Sequence, residues 1–368
     1  MLHKEFLLHY AQDRGYQKDF FAAIHENDEM YYKAILPGYK SADLAARAYI
    51  QSGGRMLDVV SQLLKFTFDD TQHIDFLEFA SGYGRFTRHL VQILESNHIW
   101  VSDIYKPAVD WLNKNLHVNG FYSAANPVDI CIDRKFDFIF VGSLFSHLPN
   151  SLFVSWLSTL FHMLKDGGIL ALSVHDIATS KSPNKDFIYH KWSESDTLST
   201  DIYGMTYVSP NFVKKTIAQS IDTPVDTKRR VCGLYEGQDL YILSNNRTMS
   251  WQEEDLHISP LGGYEGMRSS GGTFIIIGWG VSLDCFEDIT EANIIFDDAL
   301  IIPAEITKDM SGRIKKYFPH APHEPLLWNC VVDPQQLAAA QAIRCRLGTK
   351  SGMFFDAYVD KKLLLTNS

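Results

Sequence analysis

The 368-residue chain lacks any apolar run approaching the roughly 20 residues that a membrane-spanning helix needs. Its first residues, M-L-H-K-E-F-L-L-H-Y-A-Q-D-R, hold no stretch of a signal peptide's apolar length either. Cysteine is scarce. Cys131, Cys232, Cys285, Cys330 and Cys345 stand far apart without C-x-x-C spacing, which speaks against both a zinc knuckle and a disulfide framework. Positive charge is in deficit too, and a formal net charge of −10 disfavours a nucleic-acid partner, whose affinity comes mostly from neutralised phosphates. The expectation is a soluble, cytoplasmic protein with no membrane span and no nucleic acid. What remains is ordinary for a folded chain, 46% hydrophobic and 21% charged, and its length implies one large domain with a smaller one beside it.

The chain is organised around Ile74 to Arg88, I-D-F-L-E-F-A-S-G-Y-G-R-F-T-R. Ile74 to Phe79 is apolar enough for a buried parallel strand, and Phe86, Leu90 and Leu94 recur at helical spacing after it. Gly82 and Gly84 in the turn let a ligand approach the backbone, and the first helix amides point at it. Glu78 at the strand end would repel a pyrophosphate but accept hydrogen bonds from an ammonium group. His98 to Ser102 is a second strand ending at Asp103, roughly 20 positions beyond Gly84, where an acid meets the hydroxyls of a bound ribose. A turn or helix-cap role for Asp103 is compatible with that one. Pro107 opens a helix with Ala108, Trp111, Leu112 and Leu116 on one side.

Phe136 to Val141 is a further strand, followed by G-S-L-F-S-H-L-P and a helix from about Asn150 with Phe153, Leu157, Leu160 and Leu164 inward. Gly167 or Gly168 is expected to stop that helix before a strand from Ile169 to Val174, which ends at His175-Asp176. Tyr203 to Ser209 leads into a helix through Ile217. Val231 to Tyr235 and Asp239 to Leu243 then form a hairpin-like pair around Glu236-Gly237-Gln238, too closely connected for a crossover helix. Ahead of all this, residues 1–70 read as helices, an N-terminal helical lid whose apolar face includes Tyr49, Ile50, Met56, Leu57, Val60, Leu63 and Leu64.

This succession over residues 49 to 243 resembles the class I S-adenosylmethionine (SAM) dependent methyltransferases. Ala80 stands where that family commonly has glycine, and Thr87 occupies the third glycine of G-x-G-x-x-G. The resemblance implies an α/β fold, a doubly wound, seven-stranded Rossmann-like sheet over 71–250. It implies SAM as cofactor and S-adenosylhomocysteine as product. The cofactor contacts it implies are Glu78, Ala80, Ser81, Gly82, Tyr83, Gly84, Asp103, Ile104, Asn126, Gly142, Ser143 and Leu144. Asn126 falls where the adenine edge is read, with a turn role as the alternative. Tyr49 to Leu64 resembles the helix preceding the nucleotide fold in a bacterial subgroup, which makes Tyr49 a candidate contact with cofactor or acceptor.

Methyl transfer from a sulfonium asks for in-line placement of the acceptor and, for a hydroxyl acceptor, a base. His147 and His175 follow the fourth and fifth strands at the sheet edge where ligands of open sheets bind, so both are candidate catalytic residues, against a plain loop-fixing role. Asp176 either orients His175 or sits beside a divalent cation; with no accompanying carboxylates, a metal-free site is expected. Residues 245–256 read as a linker. Beyond it, Thr273 to Ile277, Ala292 to Phe296, Leu300 to Ile306, Leu327 to Val332, Ala342 to Leu347 and Met353 to Val359 read as short strands, with Asp297-Asp298 as a turn and the Gly-Gly pairs as punctuation. The expectation is an antiparallel β-sandwich over 257–368 that loosely resembles a module appended to bacterial glycan-modifying enzymes, with core roles for Trp279 and Trp328 and solvated His320 and His323. The function expected is O-methylation of a sugar hydroxyl in a bacterial surface glycan or its precursor. The alternatives are a natural-product methyltransferase, a non-catalytic scaffold whose sandwich docks a glycosyltransferase, and a nicotinamide-dependent oxidoreductase.

Overall fold

Four residues that are apolar or flanked by apolar neighbours, Phe76–Phe79, form β1 at the centre of a sheet and are buried on both faces. The structure, a computed structural model, describes residues 4–71, 73–130, 132–193, 195–234 and 237–359; Cys131, Tyr235 and Glu236 lie outside them. The chain divides between Leu256 and His257 into two units.

In the first unit, β1 pairs in parallel with β2 (Ile99–Asp103) and with β4 (Phe136–Val141). Outside β2 lies β3 (Asn119–Tyr122), and outside β4 lies β5 (Leu164–Asp176), both parallel to their neighbours. The sheet closes with β9 (Gln238–Asn245), antiparallel to β5, and β8 (Val225–Leu234), antiparallel to β9. This is the expected hairpin end to a parallel sheet. It is not the whole sheet, because a second hairpin, β6 (Phe187–His190) with β7 (Met205–Val208), joins the last two residues of β5 and makes nine strands rather than seven. Two short exchanges between His175-Asp176 and Tyr207-Val208 suffice for that junction, and no apolar alternation marks it in the sequence.

Helices α4 (Lys106–Leu116), α5 (Asn150–His162) and α6 (Pro210–Ser220) connect the strands. Helix α5 ends before the glycines expected to stop it. Gly167 and Gly168 lie inside β5, where the register shifts between Phe136 and Phe138. The helix after the glycine loop, α3 (Thr87–Leu90), is shorter than the spacing of Phe86, Leu90 and Leu94 predicts, although all three are buried. The N-terminal 70 residues are only partly helical. Helix α1 (Lys4–Asp13) and α2 (Ala42–Thr67) are separated by an irregular segment and by short helical turns over Met30–Gly38. No helix among the described residues is long and apolar enough to cross a membrane.

The second unit holds two four-stranded antiparallel sheets. One runs β10 (Leu261–Ser270), β11 (Thr273–Val281), β15 (Leu326–Val332), β14 (Glu305–Lys308), and the other β13 (Leu300–Pro303), β12 (Ile289–Phe296), β16 (Ile343–Thr349), β17 (Phe354–Tyr358). Both feed one apolar core, including Ile276, Ile294, Phe296, Trp328 and Leu347. The strand expected over 300–306 is two strands in different sheets. Pro303, which has no N–H for a ladder, ends the first, and Ala304 donates across to the Ala292 carbonyl. A short helix, α7 (Pro334–Ala339), and the glycine-containing β10 are further additions to the expected pattern. Asp297 and Asp298 form the expected turn, with φ of 48° and 60°. Trp328 is buried and donates its indole N–H to the Trp279 carbonyl at 3.1 Å, whereas Trp279 is half-buried against Phe318. His323, expected to be solvated, is half-buried with Nε2 2.8 Å from the Asp284 carbonyl oxygen.

Residues 245–256 do not behave as a free linker. Met249, Trp251 and Leu256 are buried, Trp251 stacks on Phe66 at 5.5 Å, and the Leu256 carbonyl accepts the buried Arg230 Nε at 2.9 Å. A chain ending at Leu256 is therefore expected to melt cooperatively, and one ending at Ser250 to be weaker by about 3 kcal/mol or more, since it loses Trp251 and Leu256 from its core. Urea unfolding of the two truncated chains measures the difference; equal stabilities would detach the segment from the first unit.

Candidate active site

A cavity of about 590 Å³ opens where the carboxyl ends of β1, β2 and β4 meet the N-terminal segment. The glycine loop forms its floor. Ala80, Ser81, Gly82 and Tyr83 line it, with Ala80 held at φ 60°, a left-handed conformation that accounts for glycine at this place in the resembled family. Gly84 does not line the cavity. Its φ is 81°, and a Cβ there would stand 2.3 Å from Leu112 Cδ2, so its requirement is close packing of the loop on α4. Helix α2 presses equally close, since a Cβ on Gly53 would lie 2.0 Å from the Arg85 carbonyl oxygen, and this approach delivers Tyr49 to the cavity wall.

Asp103 and Ile104 line the cavity from the tip of β2. The Asp103 carboxylate accepts the Gly82 N–H at 2.7 Å and the Tyr105 N–H at 2.8 Å, so it ties the glycine loop to the next strand end. Burial pushes it up to about 6 against those donors, with Asp28 adding repulsion. Asp103 is thus a loop anchor that also faces the cavity. Beyond it, Ser123, Ala124 and Ala125 form the wall with Leu152 and Trp156, whose indole N–H reaches the Ala125 carbonyl at 3.3 Å. Asn126 is not among the lining residues. It is exposed, and its carbonyl accepts the Asp129 N–H at 3.1 Å, a turn geometry.

From β4 come Gly142, Ser143 and Leu144, all lining. Ser143 sits at φ 67°, with its N–H on Ser173 Oγ at 2.8 Å and its hydroxyl 3.2 Å from Gln238 Oε1. Gln238 also accepts Ser173 Oγ at 2.7 Å, so strand β9 braces the loop. Glu78 is absent from the lining. Its Oε2 accepts the Thr87 hydroxyl at 2.5 Å, and burial pushes it up to about 8 despite that bond and nearby Arg85.

The two histidines are brought together, ring centroids 6.5 Å apart, but neither lines the cavity. His147 Nδ1 lies 2.7 Å from the Gly204 carbonyl, which assigns a proton to Nδ1. Its ring stacks at 4.4 Å on Tyr203, which does line the cavity. Burial, with His147 adding to it, pushes His175 down to about 4. Asp176 does not orient His175, because it pairs with Arg229, which also holds Asp239, and it caps Ala178. The one group among the described residues whose ligand atoms lie close enough to hold a metal ion, within 4.8 Å of one another, is His257, Asp284 and Glu287 in the second unit; Asp284 accepts the N–H of Ile258 and Phe286, and Glu287 that of Ser351.

Sequence reasoning expected a helical lid over residues 1–70 but named neither the irregular segment within it nor residues 195–203 as a roof. Glu26 to Glu29, Met30, Tyr32 and Lys33 line the cavity from one side, and Ser195 to Leu198, Ile202 and Tyr203 from another. The two segments meet over Tyr105, whose hydroxyl lies 2.8 Å from Ser195 Oγ and 3.1 Å from Glu29 Oε2; the Asp196 N–H reaches Glu29 Oε1 at 3.1 Å, and Lys33 pairs with Asp196. Their one sequence signal is negative, polar composition without helical period.

Glu78 has a testable signature. A carboxyl whose folded pKa is raised costs stability as pH climbs from its ordinary value through about 8. Glu78→Gln should therefore gain on the wild type by roughly 4 kcal/mol between about pH 5 and about pH 9. Denaturant unfolding across that range checks it, and a pH-independent difference would place Glu78 in a wetter site.

Residues 48–201 match the family model described as a methyltransferase domain. No curated protein matches. Among solved structures, the chain is similar to DhpI in its S-adenosylhomocysteine complex at 16% identity, over 60% of this chain and 97% of that one, with a TM-score of 0.39. It is similar to the plantazolicin methyltransferase BamL at 12% identity, over 60% and 96%, with a TM-score of 0.39. The N-methyltransferase NodS from Bradyrhizobium japonicum gives 15%, 53% and 88%, and 0.35. The match to the methyltransferase-domain model spans the glycine loop, Asp103 and the loop that carries Ser143 and His147.

Proposed function

We propose that the first unit is a SAM-dependent methyltransferase that acts on a hydroxyl of a small polar acceptor, a sugar of a surface glycan or its precursor. The observation that carries the cofactor is the charge of the cavity wall. Glu26, Asp28, Glu29, Asp103 and Asp196 face Lys33 and Arg85, a balance that favours a cation and opposes a dinucleotide's pyrophosphate. The residues present fit SAM: an acid at the β2 tip for a ribose diol, an apolar end at Ile104, Ala124, Ala125 and Trp156 for a purine, and a glycine loop without obstructing side chains between them. When bound, that group supplies a methyl on a sulfonium, whose departure leaves a neutral thioether.

The roof supports a small acceptor. Tyr32, Tyr105, Ser195, Thr197 and Tyr203 offer hydroxyls for a polyol, and the two latched segments hold it away from water. A hydroxyl acceptor needs a base, and His147 is the proposed one, on the strength of its Nδ1-protonated form and its place behind Tyr203. His175 is proposed to support that loop. The two-sheet second unit is read as a β-sandwich accessory module, and its partner, a glycan or a glycosyltransferase, rests on resemblance alone.

Calorimetry should detect SAM or S-adenosylhomocysteine and no NAD; the reverse would sink the assignment. Asp103→Ala should weaken the sulfur ligands by about 1.5 to 3 kcal/mol for each hydrogen bond lost. For the acceptor, labelled SAM incubated with fractionated glycans and small metabolites should mark a sugar fraction. His147→Ala should then lower turnover by roughly 10²- to 10⁴-fold while cofactor affinity stays near normal. Turnover that survives in this variant would point to an acceptor that needs no base, such as an amine.

A further inference from the structure

The acid that the sequence offers for an ammonium group, Glu78, spends an oxygen on Thr87 and stays off the cavity wall. Another carboxylate takes that place. Asp28 lines the cavity and is 3% exposed, in the irregular segment ahead of α2. Its Oδ1 accepts the Tyr31 N–H at 3.2 Å and its Oδ2 the Tyr49 hydroxyl at 2.5 Å, which fixes the carboxylate's orientation. A carboxylate has about four acceptor sites, so these two bonds leave it able to take more donors. Neither bond neutralises it, since an amide and a phenol bring no charge.

Asp28 and Asp103 are both buried and both line this cavity, so two acids stand over one space, and Asp28 also acts electrostatically on Asp103 and on Tyr83 in the glycine loop. Like charges so placed repel, and a cation between them relieves both. Of the two lining cations, Lys33 is paired with Asp196 at the roof, while Arg85 acts on Glu78 and Tyr49. We infer that Asp28 is the carboxylate that receives the ammonium group of the cofactor's amino-acid end. This rests on the SAM reading above and changes its outline. The cofactor site is then completed by the N-terminal segment rather than by the glycine-loop strand, and Tyr49 contributes by aiming Asp28 rather than by touching the ligand.

The test uses the full chain and two ligands, S-adenosylhomocysteine and 5′-methylthioadenosine, which keeps the nucleoside and thioether but has no amino acid. Asp28→Asn keeps the side chain's shape and removes its charge. Calorimetry should show S-adenosylhomocysteine weakened about 10- to 100-fold, as expected for a hydrogen-bonded charge pair, with methylthioadenosine changed less than about twofold. Tyr49→Phe, which unties the carboxylate without removing it, should weaken only S-adenosylhomocysteine, and by a smaller factor. Should Asp28→Asn melt early, the Tyr49→Phe pattern decides. Equal losses for both ligands, or none for either, overturn the inference while leaving the cofactor reading standing. A wild-type chain that binds neither ligand sinks both.

Discussion

The Arg88 guanidinium, wholly buried, is the interaction on which the rest of the site depends. Its Nε donates to the Gly84 carbonyl at 2.8 Å and its Nη2 to the Tyr83 carbonyl at 3.2 Å, while Nη1 reaches Phe21 and Ala23 at 3.3 and 2.9 Å. One charged fork thus clasps the glycine loop to the N-terminal segment, and each hydrogen bond to a charged group outweighs a neutral one. The same guanidinium lies 5.1 Å from the centre of the Tyr49 ring. It ties the segment that leads to Asp28 to the loop which that segment covers. His25, stacked on Tyr83 at 4.3 Å, continues the clasp.

Around that clasp, acids line part of the cavity wall: Glu26, Asp28, Glu29, Asp103 and Asp196. Asp103 is shared between two backbone donors and the open space, and Glu78 sits beneath with its charge disfavoured by burial. On the SAM reading proposed above, a cationic ligand would offset the repulsion between these acids. The roof is less committed. Its latch consists of hydroxyls, one backbone N–H and an exposed ion pair, interactions of modest individual strength.

Much of the sheet was legible because buried parallel strands write themselves as continuous apolar runs. F-D-F-I-F-V and I-L-A-L-S-V each became a central strand, and the hairpin of β8 and β9 followed from a connection too short to cross the sheet. The β6–β7 hairpin was not legible, since a short pair at the margin needs no apolar alternation. Nor was the break of 300–306 into two sheets, where one proline and one N–H to Ala292 decide the crossing. The polar segment 245–256 read as a linker, yet three of its side chains found core positions.

For the site, sequence alone determined the local chemistry. The glycine loop, the acid at the end of β2 and the residues after β4 are each specified by neighbours in the chain, and the structure places Ala80 to Tyr83, Asp103, Ile104 and Gly142 to Leu144 around one cavity. Tertiary structure decided what depends on approach across long separations. It set Glu78 under a helix hydroxyl and not at the wall, turned Asn126 to solvent, stacked His147 on Tyr203 and set His175 against Tyr207. It also brought Asp28 onto the wall from more than fifty positions away in sequence. Such placements follow from which backbone a helix or irregular segment can approach, as at Gly53 and Arg88, and no periodicity in the chain records that distance.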